Sequence, residues 1–411
     1  MSNPIRSADP ALMSLLRSED ARQRDSLCLI ASENHASAAV REALASRLSN
    51  RYSEGYPGRR FYEGQAVVDQ VEELAIARAK TLFGAEHANV QPYSGSPANL
   101  AVYAALLQPG DTVLAMDLAA GGHLTHGSPA SVTGKWFKAF HYAADPVTGQ
   151  VDQATLLRQA QVCKPKLIIA GYSAWPRQLD WKIFREVADA VGAKLLVDMA
   201  HFAGLVAGGA VDSPVPYADV VTSTTHKTLR GPRGGLVLCR QELASAIDRA
   251  VFPGLQGGPH DNVTAAKALC FLEASAPGFA IYAKAVVANA RALAKGLSQR
   301  GLPLVTGGTD NHLMLVDLRP SGFHGKHVAQ ALDVAGIVCN ANKIPDDARP
   351  AATPSGIRLG TAAITTRAMG PEHMERLAGW IAAVAERPDD RQLLSRIARE
   401  VRDLARSFPV P

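Results

Sequence analysis

Two apolar runs end in groups able to do covalent and acid–base chemistry. In VVTSTTHKTLRGPRGG, Val220 to Gly235, a β-branched run closes in His226 and Lys227 ahead of a glycine-rich turn. In LLVDMAHFAG another run ends in Asp198, with His201 three residues on. A lysine at the exit of a buried strand is poorly hydrated, which lowers its pKa and frees a neutral amine to attack an aldehyde. Each residue alone has a plainer reading, Lys227 as a solvated surface amine and Asp198 as a helix N-cap.

Together they suit one cofactor. An amine for the aldehyde and a carboxylate for a protonated pyridine nitrogen are what pyridoxal phosphate (PLP) requires. A phosphate site is also in view. In NVQPYSGSPANLAVYAAL a strand-like run gives way to Ser94, Gly95 and Ser96 and then to a helical pattern, gathering hydroxyls and backbone N–H groups at a helix N-terminus. By itself that is an ordinary capped helix; beside Lys227, Asp198 and His226 it is an anion cradle.

The elements that must position these groups alternate between short apolar runs and longer helical patterns, the signature of parallel βαβ units in an α/β protein. Residues 112–116, 166–171, 194–198, 219–223 and 234–239 are expected as buried strands, and VVDQVEELAIARAKTLFG as a helix ending at Gly84. Ligands bind at the strand ends of open α/β sheets. After Pro259 come long helices to about Arg300, apolar runs, a helix from Gly325 and two more beyond Pro371. The expected division is an N-terminal helical arm over 1–25, a large domain over 26–275 and a smaller C-terminal domain over 276–411.

Composition removes several classes. The 411 residues are 47% hydrophobic and 20% charged, enough for a sizeable core and more than one domain. The net charge of +5 is spread without a basic block, aromatic RNA-binding pattern or zinc-finger spacing, so no nucleic-acid partner is expected. No run approaches ~18 apolar residues, so no membrane span is expected. Five scattered cysteines without CxxC pairing fit a reducing cytoplasm, and no metal site is expected.

Nine ordered segments resemble the serine hydroxymethyltransferase family: LIASENHAS (29–37), NRYSEGYPGRRFYEG (50–64), QPYSGSPAN (91–99), GGHLTHG (121–127), VDMAHFAGLVA (197–207), TTHKTLRGPRGG (224–235), FPGLQGGP (252–259), GGTDNHL (307–313) and SGIRLGTAAITTR (355–367). The resemblance implies PLP fold type I: a large domain with a mostly parallel seven-stranded sheet flanked by helices, and a smaller α+β C-terminal domain. It makes Lys227 the Schiff-base lysine. Ser94, Gly95 and Ser96 become the phosphate cradle, joined by His226 and, across a dimer interface, by Gly257 and Gly258. Asp198 holds the pyridine nitrogen, His123 stacks on the ring and His201 supports the ring hydroxyl. Arg358 binds the substrate carboxylate, assisted by Ser32 and Ser173, with Tyr52 reaching in from the partner subunit. Glu54 and Tyr62 join the catalytic set beside substrate and folate, and Leu118 and Asn342 are further folate contacts.

The implied reaction moves the hydroxymethyl group of serine, or of an α-substituted serine such as 2-methylserine, to tetrahydrofolate, in a homodimer or tetramer with shared sites. Departures cluster on the folate side. Phe61-Tyr62-Glu63-Gly64 stands where the family has Tyr-Tyr-Gly-Gly, Asn340-Ala341-Asn342 where it has Asn-Lys-Asn, and Tyr93 and Pro97 replace His and Gln. Glu63 adds a charge that disfavours a polyglutamate tail. These changes leave open a folate-independent PLP aldolase or transaldolase acting on a β-hydroxy amino acid and, remotely, a non-catalytic PLP-binding or nucleic-acid-binding protein.

Overall fold

The computed structural model describes residues 8–411; the first seven residues of the expected N-terminal arm lie outside it. The rest of that arm is a helix, α1 (Pro10–Asp25), started by the Asp9 side chain accepting from Leu12 N–H. Seven strands form the central sheet: β1 (His87–Asn89), β2 (Thr112–Met116), β3 (Lys138–Tyr142), β4 (Leu167–Gly171), β5 (Lys194–Asp198), β6 (Val220–Thr224) and β7 (Gly235–Cys239). Their spatial order is β1-β7-β6-β5-β4-β2-β3. Only β7 runs antiparallel to its neighbours, so the sheet is mostly parallel.

Both faces of this sheet are covered, which explains the unbroken apolar runs. Ile168, Ala170, Leu195 and Val197 point into one core, while Leu167, Ile169 and Leu196 point into the other with Val102 and Tyr103. The latter two lie on α3 (Gly95–Leu106). The first face packs α2 (Ala66–Phe83), which stops where Gly84 turns left-handed, α4 (Asp261–Ala274) and the start of α5 (Pro277–Ser298).

A second core lies beyond it. It is built on the antiparallel strands β8 (Leu313–Asp317), β9 (Asn340–Asn342) and β10 (Gly356–Gly360) and on α6 (Gly325–Val334), α7 (Pro371–Glu386) and α8 (Arg391–Ser407). Leu27 and Leu29 join it from the N-terminal side, the Leu27–Cys28 strand pairing with Ile337–Val338. Helix α5 serves both cores: Phe279, Tyr282, Ala283, Val286 and Val287 pack on the first, Ala290, Leu293, Ala294 and Leu297 on the second. Among the described residues no single helix is long and apolar enough to cross a membrane. All five cysteines are free thiols.

Candidate active site

The C-terminal ends of β5 and β6 open on a cavity of about 390 Å³. Eleven expected site residues line it: Ser32, Ser94, Gly95, Ser96, His123, Ser173, Asp198, His201, His226, Lys227 and Arg358. Lys227 sits just past β6, on a loop that folds back to start β7. Within that loop Thr225 N–H donates to Gly234 O at 3.1 Å, Gly231 N–H to Thr225 O at 2.7 Å and Arg230 N–H to Lys227 O at 3.0 Å. Asn34 Nδ2 adds a bond to Lys227 O at 2.8 Å. Lys227 is thereby fixed and only 9% exposed. Burial draws its ammonium down to about 8; the charge of Asp198 opposes the shift, and those of Arg358 and Arg233 add to it.

Asp198 is the last residue of β5. Its Oδ1 accepts from Ala200 N–H at 3.0 Å, and its Oδ2 faces Asn99 Nδ2 at 2.9 Å and His126 Nε2 at 3.2 Å. Burial alone would raise its pKa. The hydrogen bond and charge of His126, then the charges of His123 and Lys227, overcome that and hold the carboxyl well below the usual range. An ionised acid at this depth is what a protonated pyridine nitrogen needs.

The cradle forms where β1 leads into α3. The N-cap residue, Ser94, makes no side-chain cap bond, so the first-turn amides are left for another acceptor. A Cβ on Gly95 would come 2.7 Å from Thr224 Cγ2, so a larger residue here would press this helix end away from β6. Beside it, His226 Nδ1 is buried without a hydrogen-bond partner. Burial, then the charges of Lys227 and Arg233, draw His226 down to about 3, leaving a neutral ring with unused polar capacity. An uncapped helix start, an orphaned ring nitrogen and a buried lysine facing an ionised aspartate fit PLP.

His123 Nδ1 lies 2.7 Å from Thr125 Oγ1, and burial draws the ring down to about 4. His201 Nδ1 lies 3.4 Å from His312 Nε2, in stacked rings 5.6 Å apart. Arg358, on β10, donates from Nη1 to Ser173 O at 2.7 Å and from Nε to Asn340 Oδ1 at 3.2 Å. Both acceptors are neutral, and burial pulls the guanidinium down to about 10. A cation held this way is ready for a carboxylate.

The remaining expected residues gather elsewhere in the single chain. Tyr52 Oη donates to Glu54 Oε1 at 3.3 Å, the Tyr52 and Tyr62 rings meet edge-on at 5.5 Å, and a Cβ on Gly257 would lie 3.1 Å from Glu54 Oε1. A Cβ on Gly258 would lie 3.5 Å from the Tyr52 ring. None of these lines the Lys227 cavity. Leu118, 45% exposed, and Asn342, whose Nδ2 donates to Lys343 O at 2.6 Å, also stand outside it.

Sequence reasoning missed Glu33, Tyr172, Ala200, Thr224 and Arg233 in the lining, and Asn99 and His126 as the brace on Asp198. Asn99 and His126 lie within QPYSGSPAN and GGHLTHG, but their partner is 99 and 72 residues away, and no local pattern announces it.

A buried lysine at the rim of a mostly parallel sheet, opposite a strand-end carboxylate and a helix N-terminus, defines a PLP enzyme of fold type I. A family model described as serine hydroxymethyltransferase matches residues 5–381. Similar proteins include the serine hydroxymethyltransferase of Desulfotalea psychrophila, 56% identical over 407 residues, covering 99% of this chain and 96% of that protein. That of Sorangium cellulosum is also 56% identical with the same coverage, and that of Acidothermus cellulolyticus 53% over 413 residues, with 99% and 97% covered. The chain belongs to the serine hydroxymethyltransferase family.

Proposed function

We propose that this chain interconverts serine and glycine, with PLP held covalently by Lys227 and tetrahydrofolate as the one-carbon carrier. The observation that carries the reading is Lys227 itself, 9% exposed, drawn down to about 8 and sharing one cavity with the ionised Asp198. Ser94, Gly95, Ser96 and His226 hold the phosphate, Asp198 keeps the ring nitrogen protonated, His123 covers the ring face and His201 meets its hydroxyl. Arg358, with Ser32 and Ser173 beside it, would grip the substrate carboxylate and so orient the amino acid in the cavity.

Bound PLP supplies an electron sink for the pair left on Cα when the bond to the hydroxymethyl carbon breaks. Glu54, with Tyr62, moves the proton of the substrate hydroxyl as that carbon departs to the folate. Leu118 and Asn342 complete the folate side.

Glu54, Tyr52, Tyr62, Gly257 and Gly258 serve the site of a second copy, in a homodimer or a tetramer built from such dimers. Their support is their clustering outside the Lys227 cavity, with Tyr52 57%, Tyr62 50% and neighbouring Phe61 73% exposed in one chain. In this reading the large domain over 26–275 carries PLP and the small domain over 276–411 supplies Arg358. The enzyme works in the cytoplasm, a placement that five free thiols favour.

The folate-independent aldolase is not favoured. Relatives matched over nearly the whole chain are named serine hydroxymethyltransferase. The deciding assay follows cleavage of serine and of 2-methylserine with and without tetrahydrofolate. Serine cleavage is expected to depend on folate; cleavage at the same rate without it would reinstate the aldolase.

A further inference from the structure

Helix α4 carries a lysine that this chemistry does not use. Lys267 is 1% exposed and does not line the cavity. Its Nζ donates to three main-chain carbonyls, Val90 O at 2.6 Å, Gly235 O at 2.8 Å and Pro92 O at 3.1 Å. An ammonium has three donors and no acceptor, so this cage satisfies it completely, whereas a neutral amine would turn a lone pair on one carbonyl. Burial draws the group down to about 7 against the charge of Glu72. The three acceptors favour the charged form.

Those carbonyls belong to two segments that meet at the cradle. Val90 and Pro92 lie on the run from β1 into Ser94, and Gly235 opens β7. Gly235 N–H donates back to Pro92 O at 2.9 Å, and a Cβ on Gly235 would sit 2.3 Å from Ser94 O. One nitrogen therefore gathers the two backbones whose contact sets where α3 begins. Turning the Pro92 carbonyl toward Lys267 also turns the N–H of the same peptide plane, that of Tyr93, to Gln256 Oε1 at 3.1 Å. The acid whose charge opposes the shift is already engaged: Glu72 accepts from Arg60 at 2.6 Å and from Gln91 at 2.7 Å. A buried charge so placed attracts a dianion on the cradle through a poorly screening interior.

We propose that Lys267 is a positioning residue for the phosphate cradle: its caged ammonium fixes the backbone entering Ser94, Gly95 and Ser96 and sets a positive charge behind the anion they bind. The inference rests on the cavity being the PLP site. It deepens that reading by assigning phosphate selectivity to a residue outside the cavity.

The test compares full-length wild type with Lys267→Met and Lys267→Gln after removal of the cofactor, titrating each with PLP and with pyridoxal, which lacks the phosphate. Lys267→Met is expected to weaken PLP by about tenfold or more while pyridoxal affinity changes little, so the ratio of the two affinities falls. Lys267→Gln, which keeps two donors without the charge, falls by the same ratio if charge dominates and by less if backbone geometry does. Inorganic phosphate is expected to raise the melting temperature of the cofactor-free wild type, and to raise it by less in both variants. Equal losses for PLP and pyridoxal would mean a merely structural lysine, and unchanged affinities would also overturn the proposal. Should Lys267→Met fail to fold, Lys267→Gln carries the same decision. A wild type that binds PLP no better than Lys227→Ala would instead sink the reading of the cavity.

Discussion

Asn99 Nδ2 donates to Asp198 Oδ2 at 2.9 Å. The same amide accepts from Thr222 Oγ1 at 2.6 Å and also donates to Thr125 Oγ1 at 2.9 Å, so its orientation is fixed from three sides. Asn99 lies on α3, the helix whose N-terminus forms the cradle. One rigid element therefore reaches from the Ser94-Gly95-Ser96 turn at its start to the Asp198 carboxylate one turn later, the two places proposed for the phosphate and for the ring nitrogen.

Asn99→Asp replaces a donor to Asp198 with a second acid. Two adjacent carboxylates in a buried site cannot both stay ionised, so the pKa of the pair rises and the ring nitrogen loses its counter-charge. Steady-state kinetics should show kcat falling by about tenfold or more, one pKa unit being about 1.4 kcal/mol. An unchanged kcat would remove the Asn99 bond from the chemistry.

Lys227→Ala should bind PLP weakly and without a covalent link. Borohydride treatment followed by mass spectrometry reads this directly: wild type gains the reduced cofactor mass on Lys227, the variant none. A stable adduct in the variant would move the attachment point elsewhere.

The pH dependence of cofactor capture follows from the depressed lysine. With the ammonium at about 8 instead of 10.5, the neutral amine accumulates as pH rises through 8 and is complete well before an ordinary lysine would be. Stopped-flow absorbance on the cofactor-free protein should show a capture rate that climbs to about pH 8 to 9 and then levels off. A rate still climbing at pH 10 would mean a well-hydrated lysine.

Arg358→Lys substitutes a point charge for a planar fork. Losing a charge-assisted hydrogen bond costs about 1.5–3 kcal/mol, so KM for serine should rise by about ten- to a hundredfold, with PLP absorbance retained. If KM holds, the carboxylate binds elsewhere.

Sharing of sites between copies can be checked by complementation. Lys227→Ala and Glu54→Ala should each be inactive alone, and mixing them after dissociation should regenerate activity in the hybrid that keeps one intact site. Failure to complement, with hybrids demonstrated by native mass spectrometry, would place Glu54 in the site of its own chain.

Much of the fold was legible because the inner strands are buried on both faces and so are apolar at every position. β4 and β5 announce themselves in KLIIAG and KLLVD. The edge strand β3, Lys138–Tyr142, did not, because its positions alternate between exposed and half-buried until Tyr142 and its run, KAFHY, lacks a continuous apolar signal. β10 was missed for a different reason: GIRLG has a glycine at each end and an arginine at its centre, composition that argues against a strand until its pairing with β8 is seen. At the site, residues next to a strand end or helix start could be found locally. Asn99, His126 and Lys267 could not, since each acts on backbone or side chains tens of residues or more away.

Helix α5 has a consequence for how the chain can be divided. Its 22 residues span about 33 Å, with the first half packed on the sheet and the second on the C-terminal core. A cut at residue 276 would strip the large unit of Phe279, Tyr282 and Val286 and leave the small one with a greasy, unpaired stub. The two halves are thus not detachable modules but share a girder, and neither could be transplanted without carrying part of the other.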